Sequence, residues 1–97
     1  MIINGSLKLN FSYIESLGKI KKIENGLLNL NNCPYLKDLG QLEEVIGGHL
    51  YLKECHNIYS LGNLNKVDGK IHLYNSGITK EYIKKHKPEF LKQIIWK

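Results

Sequence analysis

The stretch that decides the fold is NGLLNLNNCPYLKDLGQLEEV, residues 25–45, because the chain nearly repeats it on both sides. Residues 4–23 read NGSLKLNFSYIESLGKIKKI, and residues 47–67 read GGHLYLKECHNIYSLGNLNKV. A partial copy, DGKIHLYNSGI, occupies residues 68–78. We call these segments units 1 to 4, with residues 25–45 as unit 2. Self-similarity at a period of about 21–22 residues is typical of a solenoid, in which each unit is one coil stacked on the last.

Each unit contains two apolar residues separated by one polar residue, as in Leu28 and Leu30. This alternation predicts a short strand with one face in the core. Stacked coils place equivalent strands side by side in a parallel sheet. Further apolar positions recur from unit to unit and predict four inward ladders, which are Ile14/Leu36/Ile58/Ile78, Leu17/Leu39/Leu61, Ile20/Leu42/Leu64 and Ile3/Ile23/Val45/Val67.

Glycine recurs at two places in the units. One set follows a ladder leucine and comprises Gly18, Gly40 and Gly62. The other set directly precedes a strand and comprises Gly5, Gly26, Gly48 and Gly69. Recurrent glycine predicts a positive φ angle or a tight corner at these positions.

The repetition ends at Ile78, and helical signals follow it. Thr79 is a suitable N-cap for a short helix over residues 80–85, and Pro88 suits the first position of a second helical segment. The apolar residues of that second segment are Phe90, Leu91, Ile94 and Ile95. The sequence therefore predicts one domain, residues 1–97, which is a mainly β solenoid of about 3.5 coils over residues 1–78. Residues 79–97 are predicted to form a helical cap over its last coil.

Residues 28–36, LNLNNCPYL, and residues 50–58, LYLKECHNI, resemble the core pattern of leucine-rich repeats, with Cys33 and Cys55 at the position that takes Asn or Cys. Residues 42–52, LEEVIGGHLYL, resemble the variant found in receptor L-domains and in related bacterial and phage repeat proteins. The resemblance covers about residues 3–78. It implies β-structure on more than one side of the coil, few helices, and binding of ligands, usually proteins, through the exposed strand face.

The formal net charge is +5, and most of the excess lies at the C-terminus. Residues 1–79 contain eight lysines and seven acidic residues, whereas residues 80–97 contain six lysines and two acidic residues. A basic end favours nucleic acid, an anionic surface or an acidic protein, although a solvated helix face has the same composition. The candidate binding residues of this basic end are Lys80, Lys84, Lys85 and Lys87.

The chain contains no Arg and no Ala but is rich in Lys, Asn and Ile, whose codons are A/T-rich. This composition indicates an A/T-rich genome, such as that of a bacterium, a phage or another mobile element. The absence of Arg argues against direct reading of bases, since guanidinium makes the best bidentate contacts to guanine. No secretion signal or membrane-length apolar run is visible, so we expect a cytoplasmic protein of a bacterium, or of a phage-infected bacterium, without a membrane partner.

The outward positions of the predicted strands are the main candidates for binding, and they become more basic and aromatic toward the C-terminal units. Tyrosine offers a large, stiff contact area, while lysine with aromatic residues also suits a nucleic-acid backbone with stacked bases. An ordinary solvated sheet surface remains the alternative. The candidate strand-face residues are Lys8, Asn29, Asn31, His49, Tyr51, Lys53, Lys70, His72 and Tyr74.

Cys33 and Cys55 occupy the same position in consecutive units. They could form a disulfide, but buried thiols in a reducing compartment are favoured. Cys55 and His56 are adjacent, and neighbours in an extended segment usually point apart, which argues against a catalytic pair. Neither a metal-ligand spacing nor a phosphate loop or nucleophile elbow is present. We therefore expect no enzyme activity, no cofactor and no metal.

These observations predict a non-enzymatic module that binds a macromolecule, with a protein docked through the strand face or the basic end. One alternative is a phage or mobile-element inhibitor of a host defence system, such as an RNA-guided nuclease (an anti-CRISPR protein). Another is weak nucleic-acid binding through the Lys-rich C-terminus. Self-association through an imperfectly capped end or an exposed sheet edge is a further alternative, so a monomer or a weak homo-oligomer is expected.

Overall fold

Two parallel sheets run through units 1 to 4 in the computed structural model, which describes residues 1–97. A short helix, a 3₁₀ segment and a last strand follow them. In chain order the elements are β1 (Ile2–Asn4), β2 (Leu7–Lys8), β3 (Lys22–Glu24), β4 (Leu28–Asn29), β5 (Glu44–Ile46), β6 (Leu50–Tyr51), β7 (Lys66–Val67), β8 (Ile71–His72), α1 (Lys80–His86), the 3₁₀ segment (Pro88–Gln93) and β9 (Ile94–Ile95).

From β1 to β8, each strand pairs with the equivalent strand about 21–22 residues further along the chain. The first sheet has the order β1-β3-β5-β7, and the second has the order β2-β4-β6-β8-β9. In the second sheet Leu28 is the register partner of Leu50, which is the partner of Ile71. Backbone bonding continues beyond the assigned strands, since the N–H of Leu30 donates to the carbonyl of Tyr51 at 2.9 Å. The predicted strands and their parallel pairing are therefore confirmed.

The core consists of apolar side chains from both sheets and from the C-terminal segment, and no polar or charged residue is buried. Leu28, Leu30, Leu50 and Leu52 are completely buried, as the alternation predicts. Burying one such side chain stabilises the folded state by roughly 1.5–3 kcal/mol relative to exposure. Because the same positions recur in each unit, every unit covers the side chains of its neighbours.

The recurrent glycines have two different physical roles. Gly40 has a φ angle of +59°, and its counterparts in units 1 and 3 are also in the left-handed region, so that prediction is confirmed. Gly48 has no positive φ, but a Cβ there would lie 2.5 Å from the carbonyl oxygen of Gly26. At Gly48, the close approach of the preceding unit therefore requires glycine.

The C-terminal segment begins as predicted and then departs from the prediction. Thr79 caps α1, since its Oγ1 accepts from the N–H of Tyr82 at 3.1 Å, and Pro88 begins the 3₁₀ segment. The prediction of helix up to residue 97 is wrong at Ile94 and Ile95, which form β9 and pair in parallel with β8. Pairing satisfies the backbone groups at the edge of β8, and β-branched isoleucine suits a strand.

Residues 79–97 cover the C-terminal end of the sheets. The Oη of Tyr82 accepts from the N–H of Leu61 at 2.9 Å. The Nε2 of Gln93 donates to the carbonyl oxygens of Val67 and Gly69, each at 2.7 Å. Phe90 of the same segment is buried in the core. The backbone groups and apolar side chains at this end are thus covered by the protein itself.

The opposite end of the sheets is more open. Strands β1 and β2 are edge strands, and unit 1 has no neighbour on its outer side. Most of its inward side chains are therefore less buried than those of the next units, where Leu28 and Leu30 are fully buried, although Leu17 and Ile23 are buried. The half-buried apolar side chains of unit 1 and of the residues before it are Ile3, Leu7, Leu9, Ile14 and Ile20.

Candidate functional site

The outward face of the second sheet carries aromatic and basic side chains at its centre. Leu50 and Leu52 lie in the core, so the alternating residues of the same stretch lie on the opposite face. Strands β6 and β8 are neighbours inside the sheet, which places their outward residues side by side. We call this set of six residues the central patch, and it consists of His49, Tyr51, Lys53, Lys70, His72 and Tyr74.

Three rings of the central patch contact one another. Tyr51 and His72 are register partners, and their rings stack with centroids 4.5 Å apart and planes only 10° apart. The ring of His49 lies 6.0 Å from that of Tyr51 and 5.9 Å from that of His72, edge-on to both. Such aromatic pairs contribute about 0.5–1.5 kcal/mol beyond the area they bury. The rings therefore form an ordered surface.

The tautomer of His49 follows from its hydrogen bond. Its Nδ1 accepts from the backbone N–H of Lys70 at 2.7 Å. A neutral imidazole that accepts at Nδ1 carries its proton on Nε2. His49 therefore presents an N–H donor on the outward face of the sheet.

His72 lies between the Tyr51 ring and β9 and is half-buried. Burial lowers the pKa of His72 from its ordinary value of 6.5, and the charges of His49 and Lys53 lower it further. All three causes disfavour the imidazolium form. His72 is consequently neutral at neutral pH in the free protein.

Two lysines flank the rings, and the face contains no acidic residue. The Nζ of Lys53 lies 6.0 Å from the centroid of the Tyr74 ring, at the limit of a cation–π contact. Lys70 is exposed on the other side of the rings. Along the sheet from β2 to β8, the register partners on this face are Lys8, Asn29, Tyr51 and His72.

The acid nearest in sequence to the central patch is Glu54, and it already has partners. Its carboxylate accepts from the Nδ2 of Asn75 at 2.9 Å and lies 3.1 Å from the Nε2 of His56. These contacts hold the carboxylate at the corner that follows β6. The lysines of the central patch have no carboxylate partner in the protein.

Besides His49, two of the predicted strand-face residues use their side chains within the fold. The Oδ1 of Asn31 accepts from the backbone N–H of Lys53 at 2.8 Å, and the Oδ1 of Asn29 accepts from the N–H of Asn31 at 3.0 Å. Both oxygens therefore hold the backbone rather than face a ligand. Lys8 is exposed but lies on the edge strand β2, with β4 between it and β6. The structure brings together only the six residues of the central patch.

The basic C-terminal residues lie on and after α1. Lys80, Lys84 and Lys85 are exposed, whereas Lys87 is half-buried and its N–H donates to the carbonyl of Ile83 at 2.8 Å. Lys84 and Lys85 occupy the last turn of α1, where cations interact favourably with the helix dipole. Their charge thus has a local structural explanation that needs no ligand.

Sequence reasoning missed four exposed aromatic residues on other parts of the surface, which are Phe11, Tyr13, Tyr35 and Tyr59. The rings of Tyr13 and Tyr35 lie 5.7 Å apart, and Phe11 has a φ angle of 62°, which is uncommon for a bulky residue. Tyr13 and Tyr35 each precede a ladder residue by one position. Alignment of the units at that position could have revealed the pair.

The two cysteines are free, buried thiols, as predicted. The Sγ of Cys33 donates to the carbonyl of Leu9 at 3.2 Å, and the Sγ of Cys55 donates to that of Leu30 at 2.9 Å. Burial raises the pKa of Cys55 to about 11. Cys55 is buried while His56 is exposed, so the two side chains do not form a nucleophile–base pair.

We expect the thiols to resist Ellman's reagent at pH 8 in the native protein. A pKa of about 11 instead of 9.0 leaves about 100-fold less thiolate at Cys55, and burial restricts access further. In denaturant both thiols should react at the rate of a free cysteine. Rapid reaction of Cys55 in the native state would contradict the burial described above, and the denatured sample supplies the control.

No group of three or more His, Cys, Asp or Glu side chains is arranged to hold a metal ion, and no pocket is present. Neither of the two helical segments has the length and apolarity needed to cross a membrane. A scan against protein-family models, a search of curated proteins and a search of solved structures each return no match.

Proposed function

We propose that this protein is a non-enzymatic docking module that binds an acidic protein surface through the central patch. The observation that carries the proposal is a cluster of three contacting rings, flanked by Lys53 and Lys70, on a face without an acidic residue. Aromatic residues are enriched in protein interfaces, and complementary charge steers a partner and fixes its orientation.

The arrangement of the rings suits binding because they are already ordered. Tyr51 and His72 are stacked on each other, so docking immobilises few new rotamers. Tyr51 supplies a hydroxyl, His49 supplies an Nε2–H, and the lysines supply ammonium groups. All of these groups donate hydrogen bonds, which matches the carboxylate oxygens of an acidic partner.

We further propose that the four units form a solenoid of the leucine-rich-repeat type. The pairing of equivalent strands one unit apart in both sheets supports this proposal. So does the shared position of Cys33 and Cys55, each of which donates to a carbonyl of the preceding unit. Such a scaffold presents its strand face as a nearly flat ribbon, and the central patch lies on that face.

The alternatives from the sequence have less structural support. Nucleic-acid binding by the basic end depends on lysines whose placement the dipole of α1 already explains. Inhibition of a host defence nuclease stays a prediction from size, composition and the basic, aromatic strand face, and the geometry favours no particular nuclease. The basic end does not include the ring cluster of the central patch.

Charge reversal at the central patch tests the proposal. We expect Lys53→Glu/Lys70→Glu to weaken binding of a fluorescent oligo-aspartate peptide by about tenfold, because two donors become repulsive carboxylates. The matched control is Lys80→Glu/Lys84→Glu, which changes the net charge by the same amount on exposed residues of α1. Fluorescence anisotropy at physiological ionic strength measures both double variants.

The control should bind the peptide within about threefold of the wild type, since long-range charge effects are largely screened at that ionic strength. Equal losses in the two double variants would mean that only net charge matters, and would contradict the proposal. Tighter binding of a single-stranded oligothymidine, with a steep loss of affinity as salt is raised, would indicate nucleic acid instead.

A further inference from the structure

We propose that docking of an acidic partner at the central patch is coupled to the uptake of one proton by His72. An acidic partner would then bind more tightly as the pH falls below neutrality. This inference depends on the proposed function, because it concerns the same surface and the same class of partner.

The surroundings of His72 give the first argument. On the β6 side, the centroid of its ring lies 4.5 Å from that of Tyr51 and 5.9 Å from that of His49. The charge of Lys53, also on that side, disfavours protonation of the imidazole. On its other side, the register partner on β9 is Ile95, which does not titrate. Lys70 and Tyr74 flank it along its own strand. No carboxylate faces the imidazole, so its cationic form is disfavoured in the free protein.

His49 behaves differently because the backbone holds it. Its Nδ1 accepts from the N–H of Lys70 at 2.7 Å, and protonation of Nδ1 would remove that acceptor. Of the two imidazoles in the central patch, only His72 can gain a proton without losing a hydrogen bond to the backbone.

A docked carboxylate reverses the electrostatic balance at His72. The negative charge offsets Lys53 and Lys70 and favours the imidazolium, so the pKa of His72 rises in the complex. At pH values between the pKa of His72 in the free protein and its higher pKa in the complex, the complex therefore binds more protons than the free protein. By linkage, the affinity for the acidic partner increases as the pH falls through the pKa that His72 has in the complex. It stops increasing below the lower pKa that His72 has in the free protein.

The test uses an oligo-aspartate peptide, whose carboxylates stay ionised between pH 7.5 and 5.5. Affinity for the wild type should rise about three- to tenfold over this range, since one proton gives at most tenfold per pH unit. His72→Phe keeps a flat ring beside Tyr51 but cannot gain a proton, so its affinity should vary less than twofold. The matched control is His86→Phe, which replaces an exposed imidazole on α1 and should keep the wild-type pH dependence.

A second measurement follows the imidazole carbon signal of His72 by NMR during pH titration, with and without saturating peptide. The pKa of His72 should lie below 6.5 in the free protein and should rise when the peptide is bound. Binding that is sensitive to Lys53→Glu/Lys70→Glu, but with no pH dependence and no shift of His72, would overturn this inference and leave the proposed function intact. Absence of peptide binding at every pH would overturn the proposed function itself.

Discussion

Gly40→Ala should destabilise the protein by about 2–5 kcal/mol, whereas Gly62→Ala should cost about 1–2 kcal/mol. The two glycines occupy the same position in consecutive units, with φ angles of +59° and +54°. Alanine therefore meets the same left-handed penalty at both. At Gly40, the added Cβ of alanine would also collide with the backbone of Gly18. It would lie 2.6 Å from the carbonyl oxygen and 2.7 Å from the nitrogen of that residue. At Gly62 the nearest such atom, the carbonyl oxygen of Gly40, is 3.6 Å away.

Urea unfolding of both variants, followed by circular dichroism, measures the difference. Because backbone φ is matched, the excess cost at Gly40 reports how closely units 1 and 2 approach. Equal destabilisation of Gly40→Ala and Gly62→Ala would mean that the units are spaced more widely than the structure describes. The pair thus separates a conformational effect from a packing effect at one repeated position.

Phe90→Ala should cost about 3–5 kcal/mol, which is a large share of the 5–15 kcal/mol that stabilises a typical domain. Phe90 is only 2% exposed and is held in the core by the 3₁₀ segment that joins α1 to β9. The other phenylalanine of the chain, Phe11, is 70% exposed and provides the matched substitution. Phe11→Ala should change stability by less than about 0.5 kcal/mol.

Thermal and urea unfolding of the two phenylalanine variants test whether the C-terminal segment closes the core. If Phe90→Ala is no more harmful than Phe11→Ala, the segment is not part of the cooperative fold. In that case the contacts of Tyr82 and Gln93 with the sheets would contribute little to stability. A large difference supports residues 79–97 as a structural cover.

The paired strands could be predicted from the sequence because the repeat fixes their register. Leu28, Leu50 and Ile71 are 22 and 21 residues apart, and the same spacing makes them partners in the second sheet. The strand at Ile94 and Ile95 could not be predicted in this way. Its conformation depends on pairing with the edge of β8, and no local pattern encodes a contact with a distant strand.

The candidate surface was partly predictable for the same reason. Alternation identifies the outward positions, and the register places Tyr51 beside His72. Alternation does not reveal that the Oδ1 of Asn31 accepts a hydrogen bond from the backbone N–H of Lys53. Nor does it reveal that the Nδ1 of His49 accepts one from the backbone N–H of Lys70. Those bonds depend on backbone geometry between units. The exposed rings of Tyr13 and Tyr35 were missed because they lie outside the strands, where no alternation marks the surface.

The most direct test of the central patch as the docking surface is a ¹⁵N–¹H NMR titration of the labelled protein with the oligo-aspartate peptide. We predict that the largest shift changes fall on residues 49–53 and 70–74, with residues 80–87 of the basic end nearly unchanged. Shift changes concentrated on residues 80–87, or spread evenly over all exposed lysines, would contradict the assignment of the docking surface to the central patch.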